Sequence, residues 1–160
     1  MSNYLNTNVL LENYKNLYRS KYFIDKSLII DSLNQLLNTS DKYVCITRPR
    51  RFGKSSIASM IGAYYSKAVK SKEIFDNLKI SSSESYIENL NKYNVISISF
   101  AEIDSNCSNC VEYIDRISNL LREDLKEKFP NANIDEKYTI WEVFSQLDEK
   151  FIFIFDEWDY

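Results

Sequence analysis

The sequence contains no histidine. Histidine is the usual general base beside a serine or cysteine nucleophile, and it is a common ligand of zinc. Its absence excludes Ser-His-Asp and Cys-His catalysis and any His-ligated metal. Catalytic chemistry is left to carboxylates, lysine, arginine, serine, cysteine and tyrosine.

Glycine is also scarce. The 160 residues include two glycines, whereas average usage would give about eleven. One of the two, Gly53, directly precedes Lys54 in the basic stretch RPRRFGKSS at residues 48–56. Because glycine adopts backbone conformations that other residues avoid, we expect a tight turn there.

The three cysteines are an odd number for a secreted disulfide framework. Cys107 and Cys110 have the C-x-x-C spacing of redox and zinc sites, but zinc prefers four ligands and Cys45 alone remains. We therefore interpret all three as structural thiols. Cys45, within a predicted strand, is expected to be a small buried hydrophobic residue.

Long apolar runs and excess positive charge are absent as well. No run approaches the roughly 20 residues that a membrane span requires, and the polar start at residues 1–4 does not resemble a signal peptide. A net charge of −3 and a pI near 5.1 argue against a surface built for nucleic acid. We expect a cytoplasmic protein that does not bind a membrane; nucleic-acid binding by the whole surface is disfavoured, although a local basic patch remains compatible with this charge.

Helical and strand patterns alternate along the chain. Apolar spacing predicts helices at 10–18, 28–37, 54–70, 72–76, 85–91, 111–129 and 139–147. Apolar runs predict strands at 43–47, 94–100 and 151–155, the first and last buried on both faces. Asp25 is expected to cap the helix that follows it. This alternation predicts an α/β fold with a short, mostly parallel sheet of about three strands.

The basic stretch has most of a phosphate-binding loop. In G-x-x-x-x-G-K-[ST], backbone N–H groups surround phosphates, the lysine reaches the terminal ones, and the hydroxyl meets Mg²⁺. Gly53, Lys54 and Ser55 fill the last three positions, whereas Arg48 stands where the first glycine belongs. A helix starting at Lys54 would add its own N-terminal affinity for anions. The predicted phosphate-binding residues are Arg50, Arg51, Phe52, Gly53, Lys54, Ser55 and Ser56.

Two carboxylates follow the last apolar run. Asp156 and Glu157 come directly after residues 151–155, at the strand end where ligands of parallel sheets bind. Asp156 would hold Mg²⁺ together with Ser55, and Glu157 would orient and deprotonate a water molecule. Either motif alone is unspecific, since an Asp-Glu pair is often a solvated strand end. Their combination, each at the correct end of a predicted strand, indicates a nucleotide site.

Four segments resemble the bacterial AAA-ATPase-like family and occur in that family's order. They are YFIDKS at 22–27, TRPRRFGKS at 47–55, ISISF at 96–100 and FDEWD at 155–159. The family's phosphate loop, or Walker A segment, also reads RPRRFGK, so the missing first glycine favours the resemblance. Its Walker B segment commonly ends in DEYD, for which this chain has DEWD. Members commonly carry a PD-(D/E)XK nuclease-like domain further downstream.

The resemblance implies a P-loop NTPase-like three-layer fold that binds ATP and Mg²⁺. Residues 1–20 would be an N-terminal arm or cover helix, and residues 21–160 a partial, truncated ATPase domain. The family continues through further strands, a polar sensor residue and an arginine finger, none of which can be assigned before Tyr160. The next strand would insert between the strand at 43–47 and the one ending at Asp156. Since an arginine finger is worth about 10³- to 10⁵-fold in rate, we expect little or no hydrolysis by this chain.

Two other functions stay open. The chain could be a non-catalytic, shortened ATPase relative that binds another protein as an inhibitor or decoy, because unpaired sheet edges attract other chains or a second copy. A role in nucleic-acid transactions is suggested only by the family's downstream domain, and the acidic pI speaks against it.

Overall fold

The computed structural model describes residues 2–47, 49, 51–101, 107 and 109–157. Within these ranges the helices are α1 (Val9–Tyr18), α2 (Leu28–Leu36), α3 (Lys54–Tyr65), α4 (Lys72–Phe75), α5 (Tyr86–Asn89), α6 (Cys110–Lys128) and α7 (Ile140–Gln146). The strands are β1 (Asn94–Ser99) and β2 (Phe151–Asp156), and a 3₁₀ turn spans Lys79–Ser82. The predicted α/β class is confirmed. None of the helices in these ranges has the length and apolar character to cross a membrane.

The described sheet has two strands instead of the expected three. β1 and β2 run parallel, with Asn94 opposite Phe151 and Ser99 opposite Asp156. The prediction of a buried strand at 43–47 is wrong: these residues form no strand, Tyr43 is 86% exposed, and Cys45 is exposed as well. A strand exists only beside another backbone, and among the described residues no backbone hydrogen bond joins 42–47 to β2.

The sheet separates two apolar cores. Successive strand side chains point to opposite faces, so Val95, Ile152 and Ile154 join the core built from α1, α2 and α3. Ile96, Ile98 and Phe153 join the core that includes α6 and α7. Helices therefore cover both faces of the sheet, as the alternation in the sequence predicted.

The chain's own N-terminal arm covers the outer edge of β1. Leu5 forms an antiparallel bridge with Ile96, the Asn6 N–H donates to the Val95 carbonyl at 2.7 Å, and the Ser97 N–H donates to the Tyr4 carbonyl at 3.1 Å. The opposite edge of the sheet, on β2, has no strand beside it in the described structure.

Several helix ends differ from the sequence prediction. α3 stops at Tyr65 instead of residue 70, because the Asn91 amide donates to the carbonyls of Tyr64 and Ser66 at 3.2 and 2.9 Å. These are carbonyls that a continuing helix would use. The N-cap position of α2 is Ser27 and not Asp25. β2 is half-buried instead of fully buried, because one of its edges borders a groove.

Candidate functional site

The basic loop makes a tight turn into α3. Arg51 and Gly53 both have positive φ, 67° and 81°, and the Phe52 N–H donates to the Pro49 carbonyl at 3.3 Å. Gly53 adopts its conformation at no steric cost, whereas Arg51 is strained, as residues at functional sites often are. α3 then begins at Lys54, so the free N–H groups of its first turn lie next to the loop. Arg48 and Arg50 lie outside the described residues.

Lys54 and the two predicted carboxylates line one cavity. It has a volume of about 910 Å³, and its polar lining includes Thr47, Lys54, Asp156 and Glu157. The remaining walls are mostly apolar side chains of α2, α3 and β2 and of residues 44–46. The fold thus places Lys54 in the same cavity as two neighbouring carboxylates that follow it by about a hundred residues. The reason is that the start of α3 and the end of β2 open onto the same space. We call this cavity the edge groove, since it runs along the free edge of β2.

The carboxylates occupy the point where β2 ends. Asp156 is the last strand residue, and its carboxylate accepts the Glu157 N–H at 3.1 Å. Glu157 has a positive φ of 56°, so the chain turns sharply directly after Asp156. Each carboxylate keeps oxygen lone pairs for other ligands.

Ser55, the other predicted metal ligand, is exposed at the start of α3. It is not among the residues that line the edge groove. Mg²⁺ is commonly held by one or two protein oxygens plus phosphate oxygens and waters. One carboxylate and one hydroxyl therefore fit such an ion as a donor set.

A second cavity lies beside the same loop. Its volume is about 340 Å³, and its walls come from α1, residues 22–26, residues 51–53 and the first turns of α3. Phe52, Gly53 and Ser56, all predicted phosphate-binding residues, line it. We call it the loop pocket.

Two residues that line the loop pocket, Tyr14 and Lys26, were not predicted as site residues from the sequence. Lys26 extends its ammonium to 3.6 Å from the point where a Cβ on Gly53 would lie. Tyr14, on α1, is 1% exposed, and its hydroxyl has no hydrogen-bond partner within the described structure. Lys26 belongs to the YFIDKS segment of the resemblance, but no sequence signal distinguishes Tyr14 from the other tyrosines of α1.

Asp25 fixes the segment that carries Lys26. Its carboxylate accepts the backbone N–H groups of Ser27 and Lys79, each at 2.8 Å. Burial by itself would raise the pKa of Asp25, but these hydrogen bonds outweigh it and lower the pKa below its usual value. Asp25 is therefore ionised at neutral pH and ties residues 25–27 to the 3₁₀ turn.

Comparison with known proteins identifies a family. A family model described as "Predicted AAA-ATPase" matches residues 9–160, which is nearly the whole chain. No curated protein and no solved structure matches.

Proposed function

Since the chain belongs to the AAA-ATPase-like family, we propose that it is the part of a P-loop ATPase domain that binds ATP and Mg²⁺. The observation that carries this proposal is the shared cavity of Lys54, Asp156 and Glu157. A loop lysine and a carboxylate at a strand end, facing one space, are the parts that P-loop enzymes use on phosphates and on the metal.

Each residue has a distinct role in this proposal. The loop N–H groups and Lys54 bind the β- and γ-phosphates, while Ser55 and Asp156 hold the Mg²⁺ that neutralises them. Glu157 orients a water molecule for attack on the γ-phosphate. Lys54 and Asp156 also attract the opposite charges of phosphate and metal.

Calorimetry with ATP and Mg²⁺ tests the binding step. Lys54→Ala should weaken ATP binding by about 10- to 100-fold, because a hydrogen bond to a charged group is worth roughly 1.5–3 kcal/mol. Lys70→Ala, which changes an exposed lysine beyond the end of α3, should bind as the unchanged protein does. An unchanged affinity in Lys54→Ala, or no binding by the unchanged protein, would contradict the proposal.

Hydrolysis is expected to be slow or absent. An arginine finger is worth about 10³- to 10⁵-fold in rate, and no arginine of the described residues lines the edge groove beside Lys54 and Glu157. Phosphate release by the purified protein should stay close to the level of Glu157→Gln. Rapid release that Glu157→Gln abolishes would overturn this expectation and leave ATP binding intact.

A second function, binding of a partner protein, is favoured by the edge groove. The edge of β2 that borders the groove has no strand beside it in the described structure, and most of the side chains that line the groove are apolar. We propose that an extended, uncharged segment of a partner chain adds to the free edge of β2, as peptides do in β-augmentation. This is the activity expected of an inhibitor or decoy.

A further inference from the structure

The loop pocket is the more electropositive of the two cavities beside the basic loop. Among the described residues that line it, Lys26 and Arg51 are cationic and none is acidic. The edge groove, by contrast, has two lysines and two carboxylates in its lining. Since the whole chain has a net charge of −3, this excess of positive charge is a local feature of the fold. Concave surfaces lined by one sign of charge attract ligands of the opposite sign.

The two cations of the loop pocket have no counter-ion within the described part of the chain. Lys26 and Arg51 form no ion pair and no side-chain hydrogen bond with any described residue. The neighbouring carboxylate of Asp25 does not neutralise them, because its two oxygens accept the backbone N–H groups of Ser27 and Lys79. The ammonium of Lys26 is therefore available to an external anion, to which it would form charge-assisted hydrogen bonds.

Two hydrogen-bond donors from different segments meet over Gly53. The Lys26 ammonium lies 3.6 Å, and the Ser56 hydroxyl 3.8 Å, from the point that a Cβ on Gly53 would occupy. Because glycine has no side chain, this space stays open and borders the backbone of the basic loop. An ammonium supplies three donors and a hydroxyl supplies one. An anionic oxygen lying over Gly53 would be close to both groups.

Lys26 approaches the loop from a segment whose backbone is fixed on both sides. Asp25 is tied to the 3₁₀ turn, and Ser27 is fully buried, with its hydroxyl accepting the Ile80 N–H at 3.1 Å. The side chain of Lys26 itself stays exposed. Since the backbone on either side is already ordered, less conformational freedom is lost when this lysine binds a ligand.

We propose that Lys26 is a second phosphate-binding lysine, which contacts the phosphates of ATP from the loop pocket while Lys54 contacts them from the edge groove. The basic loop borders both cavities, so phosphates bound to its backbone N–H groups would lie between the two lysines. This inference rests on the proposed function. It adds that a residue outside the basic stretch binds the phosphates, and that Asp25 is the positioning residue of Lys26.

Calorimetry of the whole chain with ATP and with inorganic tripolyphosphate, each with Mg²⁺, tests this contact. Lys26→Met removes the charge and keeps most of the length of the side chain. It should weaken the binding of both ligands by about 10-fold, the low end for a hydrogen bond to a charged group, because Lys26 is exposed. Lys21→Met removes an exposed charge outside both cavities and should change neither affinity. Lys26→Arg, which keeps the charge, should retain more affinity than Lys26→Met.

Thermal unfolding separates the phosphate contact from a structural role of Lys26. The ammonium has no described partner and shares its pocket with Arg51, so the melting temperature of ligand-free Lys26→Met should not fall. Saturating ATP raises the melting temperature by mass action, and this rise should be smaller in Lys26→Met than in Lys21→Met. A lower melting temperature of the ligand-free variant with unchanged ATP affinity would make Lys26 a structural residue and overturn the proposal.

A double-mutant cycle tests the positioning role of Asp25. In Asp25→Asn the amide offers one oxygen instead of two to the N–H groups of Ser27 and Lys79, so ATP affinity should fall as the segment loosens. In a Lys26→Met background the same substitution should cause little further loss, because the group that it positions is gone. An equal loss in both backgrounds would show that Asp25 does not act through Lys26.

Failure of the Lys26 contact and failure of the nucleotide site give different results. Unchanged affinity of Lys26→Met for both ligands, together with weaker binding by Lys54→Ala, would reject the Lys26 contact and retain the ATP site. Weaker binding of ATP but not of tripolyphosphate by Lys26→Met would also reject a contact with phosphate. Absence of binding by the unchanged protein would reject both proposals.

Discussion

At the scale of single residues, the two glycines serve different purposes. Gly53 supplies the positive φ that turns the basic loop into α3. Gly62 lies inside α3 and has an ordinary φ, but there is no space for a side chain. A Cβ at this position would lie 2.1 Å from the Leu10 Cδ1 atom. A glycine inside a helix costs stability relative to alanine. Its presence at residue 62 is explained by the close crossing of α1 over α3.

Gly62→Ala should lower the free energy of unfolding by about 1–3 kcal/mol, the usual cost of overpacking. This loss should exceed the gain in helix propensity, which is about 1 kcal/mol or less. In a Leu10→Ala background the Cδ1 and Cγ atoms are gone and only the Cβ of residue 10 remains close, at 3.2 Å, so the same change should cost clearly less there. Urea unfolding of the four proteins measures the effect. A similar loss in both backgrounds would show that contact with Leu10 is not the cause.

At the scale of elements, one carboxylate of α6 holds the N-terminal arm in addition to the hydrogen bonds that join the arm to β1. Asp124, on α6, is 3% exposed. Its oxygens accept the backbone N–H groups of Asn3, Tyr4 and Leu5 at 2.7–3.0 Å, and the Asn3 side-chain amide at 3.0 Å. A buried carboxylate is acceptable because hydrogen bonds satisfy it. The arm and α6 therefore depend on each other although about 120 residues separate them.

Asp124→Asn should detach the arm. The new amide group places N–H donors against backbone N–H donors, so we expect a loss of about 1–3 kcal/mol in the free energy of unfolding. Hydrogen exchange at the Asn6 and Ser97 amides, which bridge the arm and β1, should accelerate. Asp115→Asn changes an exposed residue of the same helix and should alter neither quantity. Unchanged exchange in Asp124→Asn would show that the arm is held by other contacts.

At the scale of the whole molecule, the two edges of the sheet differ. The arm covers β1, whereas β2 borders the edge groove. The Lys150 and Asp156 carbonyls accept hydrogen bonds from the β1 side, and alternate residues of a parallel strand face alternate edges. The backbone groups of Phe153 and Phe155 therefore face the groove. A strand that enters the groove would pair with them.

An acetylated eight-residue peptide of alternating valine and threonine probes this edge. We expect it to slow hydrogen exchange at the Phe153 and Phe155 amides. Val44→Lys, which puts a charge on the groove wall at a side chain already 48% exposed, should weaken the effect, and Tyr43→Lys, outside the lining, should not. No protection by the peptide would contradict partner binding. Protection in the peptide-free protein, with a dimer in sedimentation, would instead indicate self-association.

The sequence by itself determined most of the local structure. Helix positions followed from apolar spacing, and the capping box of α7, in which Thr139 and Glu142 bond each other's backbone N–H groups, lies at the predicted start of that helix. Gly53 before Lys54 predicted the turn, and the carboxylates after β2 lie, as predicted, at the end of the strand, where they line the edge groove. These features depend on neighbours within a few residues, whose side-chain types carry the information.

Only the tertiary structure decided which surfaces meet. Residues 43–47 have the composition of a buried strand, but strand pairing needs a second backbone, and β2 does not lie against them. The contact of Asp124 with the arm, the crossing at Gly62 and the stacking of Tyr14 on Phe75 also join segments distant in sequence. Local pattern contains no information about such contacts, because they depend on how the helices pack around the sheet. The fold therefore added the loop pocket beside a basic loop that the sequence had already marked as a candidate phosphate site.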